Sequence, residues 1–449
     1  MNNRGIASNI FRSALAAVNP EIIVKECAKG LSSSLRQEEV KDIVVVGFGK
    51  AAYQMSDAIE EVIDIDLISA GMVVTKYGHA GSQGSGDTSQ NTEYRAQNTD
   101  LKKIKVYEAA HPIPDENGIK ATEKIIELLK AADKETLVLF LISGGGSALL
   151  VSPIDGVNLG EKQSITDLLL KSGADIEELN AVRKHISKVK GGRLAEIAYP
   201  AKMISIIISD VIGDKLDVIA SGPTSADSST FSDALSVMEK YNLFEKAPQS
   251  IINTLNSGHA GTIPDTPKAD NQIFRSVQNI IVGSNQKAVE AAAKEARDEG
   301  HETEVLSSAL TGEAREVAGW LAEKAKEALS QKHTGKLCLI SGGETVVTVK
   351  GSGKGGRNME LALSFAMEIE GMDGITLLSA GTDGTDGPTD AAGAIVDGST
   401  VIKAREMGLD PADYLNNNDS YNFFKEIDSL IITGPTGTNV MDLQIILIG

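Results

Sequence analysis

Several apolar runs of this chain have no solvent face. Residues 43–46 (IVVV) and 137–142 (LVLFLI) contain no polar residue, and 203–209 (MISIIIS) contains only small serines. A strand with one wet face alternates polar and apolar residues, so runs like these are buried on both sides. That is the condition of a parallel sheet covered by helices. Further strands are read at 72–75 and 105–109, with helical spacing through about 62 and over 118–132, 164–171, 176–188 and 193–198. Strand–helix alternation at this interval predicts a doubly wound α/β domain. The first thirty residues read as one or two helices broken at Asn19-Pro20. With 449 residues, two or three cores are expected. A second α/β set is read from Ile280–Gly283 onward. It has helices at 285–299, 313–329, 358–369 and 399–407 and strands at 337–341, 345–349, 375–379 and 429–433. The boundary falls near 245–275 and is drawn as 1–250 and 251–449.

The buried strands run into glycines. Leu-Ile-Ser-Gly-Gly occurs twice, at Leu141–Gly145 and Leu339–Gly343. Glycine lets backbone N–H groups turn outward and bind an anion. In the first copy Ser143, Gly144, Gly145, Gly146 and Ser147 lead into a helix, and the helix dipole adds to the N–H groups. Gly47-x-Gly49-x-x-Ala52 has the spacing of a dinucleotide fingerprint. A nicotinamide cofactor also needs an acid after the next strand, and that strand ends in Lys76-Tyr77. Lys50 within the turn suits a phosphate or carboxylate instead, since a cation at a helix start wants an anion beside it. No segment matches GxxxxGK[ST]. The glycine run 351–356 comes nearest and puts Gly355 and Gly356 ahead of Arg357, whose forked guanidinium can hold a carboxylate or phosphate by two bonds. Lys190-Gly191-Gly192-Arg193 is a further basic, glycine-rich anion candidate.

Acids follow other buried strands: Asp210 and Asp214 after 203–209, and Asp383, Asp386 and Asp390 after 375–379. Their spacing is not that of an EF-hand. Acids at strand ends facing phosphate-binding glycines suit Mg²⁺ held jointly with nucleotide phosphates. Of six histidines, His111 lies in a turn of special residues and His79 borders a polar stretch at 78–99 that reads as a mobile loop. The net charge of −19 argues against nucleic acid or an anionic membrane as partner. No apolar run reaches the ~18 residues of a membrane span. Two cysteines, Cys27 and Cys338, in apolar settings fit buried thiols and a cytoplasmic location.

Together these segments resemble the glycerate 2-kinase family with a C-terminal MOFRL domain. The matching stretches are VVGFGKAA, VVTKYGH, EAAHPIPDENG, LISGGGSALL, KVKGGRLA, ISDVIGD, IASGPT, SGGET, GKGGRNMELAL, SAGTDGTDGPTDAAGA and GPTGTNVMDL, spread from residue 45 to 443. The stretch at 81–92 looks longer than in the family. The resemblance implies an N-terminal Rossmann-like α/β/α domain, a C-terminal MOFRL-type α/β domain with a mixed sheet, and an active site in the cleft between them. It implies transfer of a phosphoryl group from ATP to the 2-hydroxyl of D-glycerate with a divalent cation such as Mg²⁺.

Lys50 and Arg357 match positions the family uses for catalysis, and Asp383 is expected beside them. Lys50, His111, Ser143, Gly144, Arg357 and Asn358 are expected at the substrate. Gly144, Gly145, Gly146, Ser147, Lys190, Arg193, Gly355 and Gly356 are expected at the nucleotide, and Asp210, Glu344, Asp383 and Asp386 at the metal. The expected partners are these small molecules, and the chain admits a homodimer. The rivals are an NAD(P)-dependent hydroxypyruvate reductase and a non-catalytic protein that binds sugar acids or phosphate.

Overall fold

The computed structural model describes residues 2–35, 40–81, 101–330 and 335–449. Most of the loop expected at 78–99 therefore lies outside the described residues. The chain divides into two compact units. One comprises Ile23–Ile208 and Asp214–Val282; the other comprises Met1–Ile22, Ser209–Gly213 and Gly283–Gly449.

The first unit is built on a six-stranded sheet of β1 (Asp42–Phe48), β2 (Ile68–Lys76), β3 (Ile104–Ala109), β4 (Thr136–Ile142), β5 (Lys202–Ile208) and β6 (Val277–Gly283). Their order is β3-β2-β1-β4-β5-β6, the doubly wound dinucleotide-fold order. The pairs β2–β3, β1–β2, β1–β4 and β4–β5 are parallel. Every residue of β4 is buried, as its unbroken apolar run requires. β6 was expected to open the second α/β set. It is instead the edge strand of this first sheet, so the compact unit extends past the boundary drawn at 250.

The second unit holds β7 (Glu302–Leu310), β8 (Leu337–Gly343), β9 (Ile375–Gly381), β10 (Gly393–Asp397), β11 (Leu430–Ile431) and β12 (Asp442–Ile448), in the order β11-β10-β9-β12-β8-β7. The sheet is mixed. β7 and β8 are parallel, whereas β12 lies antiparallel between β8 and β9. The N-terminal helix Asn3–Ala17 belongs to this unit. Its stripe Ile6, Ala7, Ile10, Phe11 and Ala14 is buried, packing on the Asn285–Asp298 helix, β9 and β12. Arg4 also pairs with Asp397 at 2.8 Å. Residues 1–22 thus depart from the expected 1–250 grouping because their apolar face is satisfied by the C-terminal sheet.

The strand expected at 345–349 does not form. Val346 makes one isolated bridge to Glu313, and Val346 and Val349 are exposed. β-branched residues favour a strand only when a neighbouring strand can pair with them. Among the described residues no helix is long and apolar enough to cross a membrane.

Candidate functional site

In the first unit, strand order reverses between β1 and β4, with β2 and β3 on one side and β5 and β6 on the other. At such a switch point the loops leave in opposite directions and open a crevice beyond the strand ends. The two loops here are the sequence-predicted glycine turns, and they are laced together. Lys50 N–H donates to the Gly144 carbonyl at 2.9 Å, and Ser143 N–H to the Phe48 carbonyl at 3.2 Å. Ala51 N–H donates to Ser143 Oγ at 3.0 Å.

Gly49 has φ 129°, and a Cβ there would lie 2.2 Å from Ser143 Oγ. Gly49→Ala is therefore expected to cost about 2–5 kcal/mol through backbone strain and overpacking. An unshifted denaturation midpoint would show that the loops can part without loss. The helix after the second turn is a single turn, Gly146–Leu149, shorter than expected. Its contribution is local N–H groups rather than a long dipole. Among the described residues the N–H groups of Gly144, Gly145 and Ser147 have no backbone partner.

Cations gather on these turns. His79 Nδ1 lies 3.2 Å from the Lys50 carbonyl. The His111 ring sits against Gly145, where a Cβ would meet its Cδ2 at 2.9 Å and Lys50 Cγ at 3.4 Å. Burial first, then Lys50, Lys76 and His79, push the His111 imidazole down to about 4. His79 is lowered as well, by burial and then by Lys76 and Lys50. Glu108 orders the turn by accepting from Gly78 N–H at 2.8 Å and Ala80 N–H at 3.3 Å. The structure thus brings Lys50, His111, Ser143, Gly144 and Gly145 together, with Lys76 and Glu108 beside them.

A neutral histidine among lysines is a site short of an anion. Its folded pKa is depressed, so the unfolded chain binds the extra proton between about pH 6.5 and 4, and stability falls as pH falls through that window. A bound anion relieves the shift. Phosphate should bind more tightly, with proton uptake, as pH is lowered from 8 towards 5.5. His111→Gln should flatten that profile in calorimetric titrations, and an equal slope in the variant would exclude His111 from the anion site.

In the second unit, three strand ends meet. Asp442, the first residue of β12, stands opposite Gly343 of β8 and Gly381 of β9. Glu344 follows β8 and Asp383 follows β9. Arg357 opens the Arg357–Glu368 helix and forks onto Asp442, Nε to Oδ2 at 2.6 Å and an Nη to Oδ1 at 2.9 Å. Its other Nη reaches Glu344 at 2.7 Å. Asp442 is fully buried.

Burial would lower the Arg357 guanidinium, but Asp442 and Glu344 carry it above its usual value. Burial raises Glu344, which Arg357 opposes and Asp442 and Asp210 reinforce. Asp442 is likewise raised, by burial against Arg357, with Asp383 adding. Asp442, Glu344 and Asp386 therefore act on one guanidinium, with Asp210 acting on Glu344 and Asp383 on Asp442. Among the described residues no three His, Cys, Asp or Glu side chains form a ready-made cage for a metal. Mg²⁺ needs only one or two carboxylates when phosphates complete its shell, and the surplus of negative charge here suits a divalent cation.

Other sequence-named residues have structural occupations. Asp386, named for the metal, caps the Arg357–Glu368 helix by accepting from Asn358 N–H at 3.1 Å and Met359 N–H at 2.8 Å. Burial pushes its carboxyl up to about 7 although these N–H groups oppose the rise. Asn358, named for the substrate, is buried and accepts from Ser379 Oγ at 2.8 Å.

The glycine run before Arg357 is no open cradle. N–H groups of Lys350, Gly351, Ser352 and Lys354 donate to the side chains of Asn418, Asn417 and Asp419. A Cβ at Gly355 would strike Ser420 Oγ, and one at Gly356 the Asp386 carboxyl, so packing accounts for both glycines. Lys190 Nζ donates to the carbonyls of Ser147, Leu150 and Ala220 at 2.8, 3.4 and 3.4 Å, which commits all its protons to holding the turn. Arg193 donates to the Pro264 carbonyl at 3.0 Å, and Asp390 accepts from Tyr421.

This geometry can be set beside known proteins. Residues 6–256 match the family model described as a domain of unknown function, DUF4147, and residues 337–442 match the MOFRL family. A D-glycerate 2-kinase of Thermotoga maritima is 47% identical over 99% of this chain and 98% of its own length. A protein of Agrobacterium vitis, named provisionally a hydroxypyruvate reductase, is 40% identical over 99% of this chain and 94% of its own. The crystal structure of glycerate kinase from Thermotoga maritima superposes with a TM-score of 0.87 at 46% identity, covering 99% of both chains. The fold and its two glycine-turned strand ends are those of a phosphotransferase acting on an alcohol. The chain belongs to the glycerate kinase family.

Proposed function

We propose that this protein transfers the terminal phosphoryl group of ATP to the 2-hydroxyl of D-glycerate, giving 2-phospho-D-glycerate and ADP. The observation that carries this reading is the pair of laced glycine turns at the β1/β4 switch point, ringed by Lys50, Lys76, His79 and His111. Such a cradle is built for phosphates, and phosphoryl transfer relies on positioning and charge neutralisation rather than covalent help. The Ser143–Ser147 turn presents N–H groups to the nucleotide phosphates, and Lys50 neutralises the group in flight. Arg357 holds the glycerate carboxylate: Asp442 fixes the guanidinium plane, and the bond to Glu344 is the one that yields.

One or two of Glu344, Asp383 and Asp210 would hold Mg²⁺ jointly with the nucleotide phosphates, whose charge the ion would neutralise when bound. Asp386 is left out because its oxygens cap a helix. Asp383 Oδ1 accepts from Thr385 N–H at 3.0 Å, and its second oxygen would take the hydroxyl proton or a position on the metal. The reductase reading lacks a ribose-binding acid, since β2 ends in Lys76.

The test is release of ADP from ATP that depends on D-glycerate and on a divalent cation. A chelator should abolish it, and Asp383→Asn should slow it about 10²-fold or more. ADP release indifferent to glycerate, or hydroxypyruvate-dependent loss of nicotinamide absorbance, would count against the proposal. Unchanged rate and metal dependence in Asp383→Asn would remove that residue from the role.

A further inference from the structure

Behind the Ser143–Ser147 turn lie two buried lysines and a half-buried arginine that the reading above does not use. Lys162 is 3% exposed and Lys190 is 0% exposed, and both feel the charge of Arg183. Arg183 donates to Ser147 Oγ, which lies 2.9 Å from Ser221 Oγ. Ser221 in turn donates to Asn180 Oδ1 at 2.9 Å. Two donors in this group are buried with no hydrogen-bond partner among the described residues: Lys162 Nζ and Asn180 Nδ2.

The charged groups acting on these cations are the cations themselves, with no carboxylate among them. Arg183 acts on Lys162, and both act on Lys190. Burial, with Arg183 next, pushes the Lys162 ammonium down to about 7. A buried charge without a counter-charge costs several kcal/mol, and a buried donor without an acceptor adds to it. A guanidinium on a pair of serine hydroxyls, two buried lysines coupled to it and two idle donors are explained by an anion that completes them.

We propose that Lys162, Arg183, Asn180, Ser147 and Ser221 form an enclosed oxyanion pocket for a phosphate group, with Lys190 holding its wall. This rests on the kinase reading only for the identity of the ligand, a phosphate of the nucleotide. Free inorganic phosphate has the same chemistry. Arginine and lysine together suit a phosphate, the first by its planar fork and the second as a point charge. The pocket lies under the hydroxyl of Ser147, so an anion there would also order the glycine turn.

The test uses the full chain without turnover. Thermal denaturation and calorimetric titration are run with inorganic phosphate, with ADP, and with chloride at matched ionic strength, for wild type, Lys162→Met and Asn180→Asp. Wild type should be stabilised by phosphate or ADP but not by chloride. A larger response to ADP assigns the pocket to the nucleotide, and an equal one to free phosphate, both supporting the pocket.

Lys162→Met removes an uncompensated charge. The ligand-free variant should melt at or above the wild-type temperature while phosphate affinity falls roughly ten- to hundredfold. Asn180→Asp, nearly isosteric, supplies a negative charge from within. It should raise the ligand-free melting temperature and likewise remove the part of the phosphate response that persists in His111→Gln, which keeps the test decisive if Lys162→Met does not fold. A structural cluster would behave oppositely. Lower ligand-free stability in Asn180→Asp with an intact phosphate shift overturns the proposal, as does a wild type indifferent to both anions. Because the readout is binding, failure to phosphorylate glycerate would leave this result standing, and an active kinase with an unaltered phosphate response would sink this pocket alone.

Discussion

Lys50→Ala and Arg357→Ala should each lower turnover by about 10²–10³-fold or more, the loss typical of removing one preorganised charge from a transition state. The fold should survive both. Lys50 is only partly buried, and its backbone N–H, which laces the turns, is untouched by the substitution. Arg357 is a third exposed, and the helix it opens is capped by Asp386 rather than by its own side chain. The two losses should differ in kind. If Lys50 acts on the moving phosphoryl group, kcat falls with little change in KM for glycerate. If Arg357 holds the carboxylate, KM for glycerate rises as kcat falls. Arg357→Ala leaves the buried Asp442 carboxylate unpaired, so its melting temperature should fall with the fold retained; near-wild-type kinetics in either variant would remove that residue from the reaction.

The second large effect concerns Asp442, which meets Arg357 by two bonds from the head of β12. Asp442→Asn keeps the shape and removes the charge. Breaking a buried pair by neutralising one partner costs about 3–5 kcal/mol. Partial exposure of Arg357 lets water recover part of that, so a loss of roughly 1–3 kcal/mol is expected from denaturant unfolding. The larger effect is on rate, because a guanidinium freed from its fork is no longer aimed. Turnover should fall at least about tenfold. Asp442 acts through Arg357, so the double variant Arg357→Ala/Asp442→Asn should be scarcely slower than Arg357→Ala alone. Losses that multiply would show that Asp442 has a separate role and that the fork is incidental.

What was legible in the sequence was local. The glycine turns at 47–52 and 143–147 announce themselves because backbone geometry demands glycine there and because the preceding strands are apolar on both faces. The doubly wound class followed from the same runs. What escaped depends on distant pairing. DLQIILI at the C-terminus is an apolar run that becomes β12 only by lying antiparallel between β8 and β9. Asp442 therefore carries no signal in the sequence that marks it as the partner of Arg357. β7, at the sheet edge, has a half-exposed pattern that no short window separates from a loop. The opposite failure occurred at 345–349, where strong strand propensity found no neighbour. Lys162 and Arg183 sit on helices, and only the packing shows Lys162 buried and Arg183 bonded to Ser147. Gly355, Gly356 and Asn358 were named because glycines and amides beside an arginine suggest binding. In the structure those features serve close packing against 417–420 and Asp386.

The central claim is phosphoryl transfer to one particular hydroxyl, and the identity of the product tests it most directly. Protein incubated with ATP, Mg²⁺ and D-glycerate is analysed by phosphorus NMR against authentic 2- and 3-phosphoglycerate. The account predicts 2-phosphoglycerate and ADP in equal amounts, with product lost on omitting glycerate. Formation of 3-phosphoglycerate would contradict the assigned position, and ATP left intact while glycerate or hydroxypyruvate is turned over would contradict the kinase reading itself.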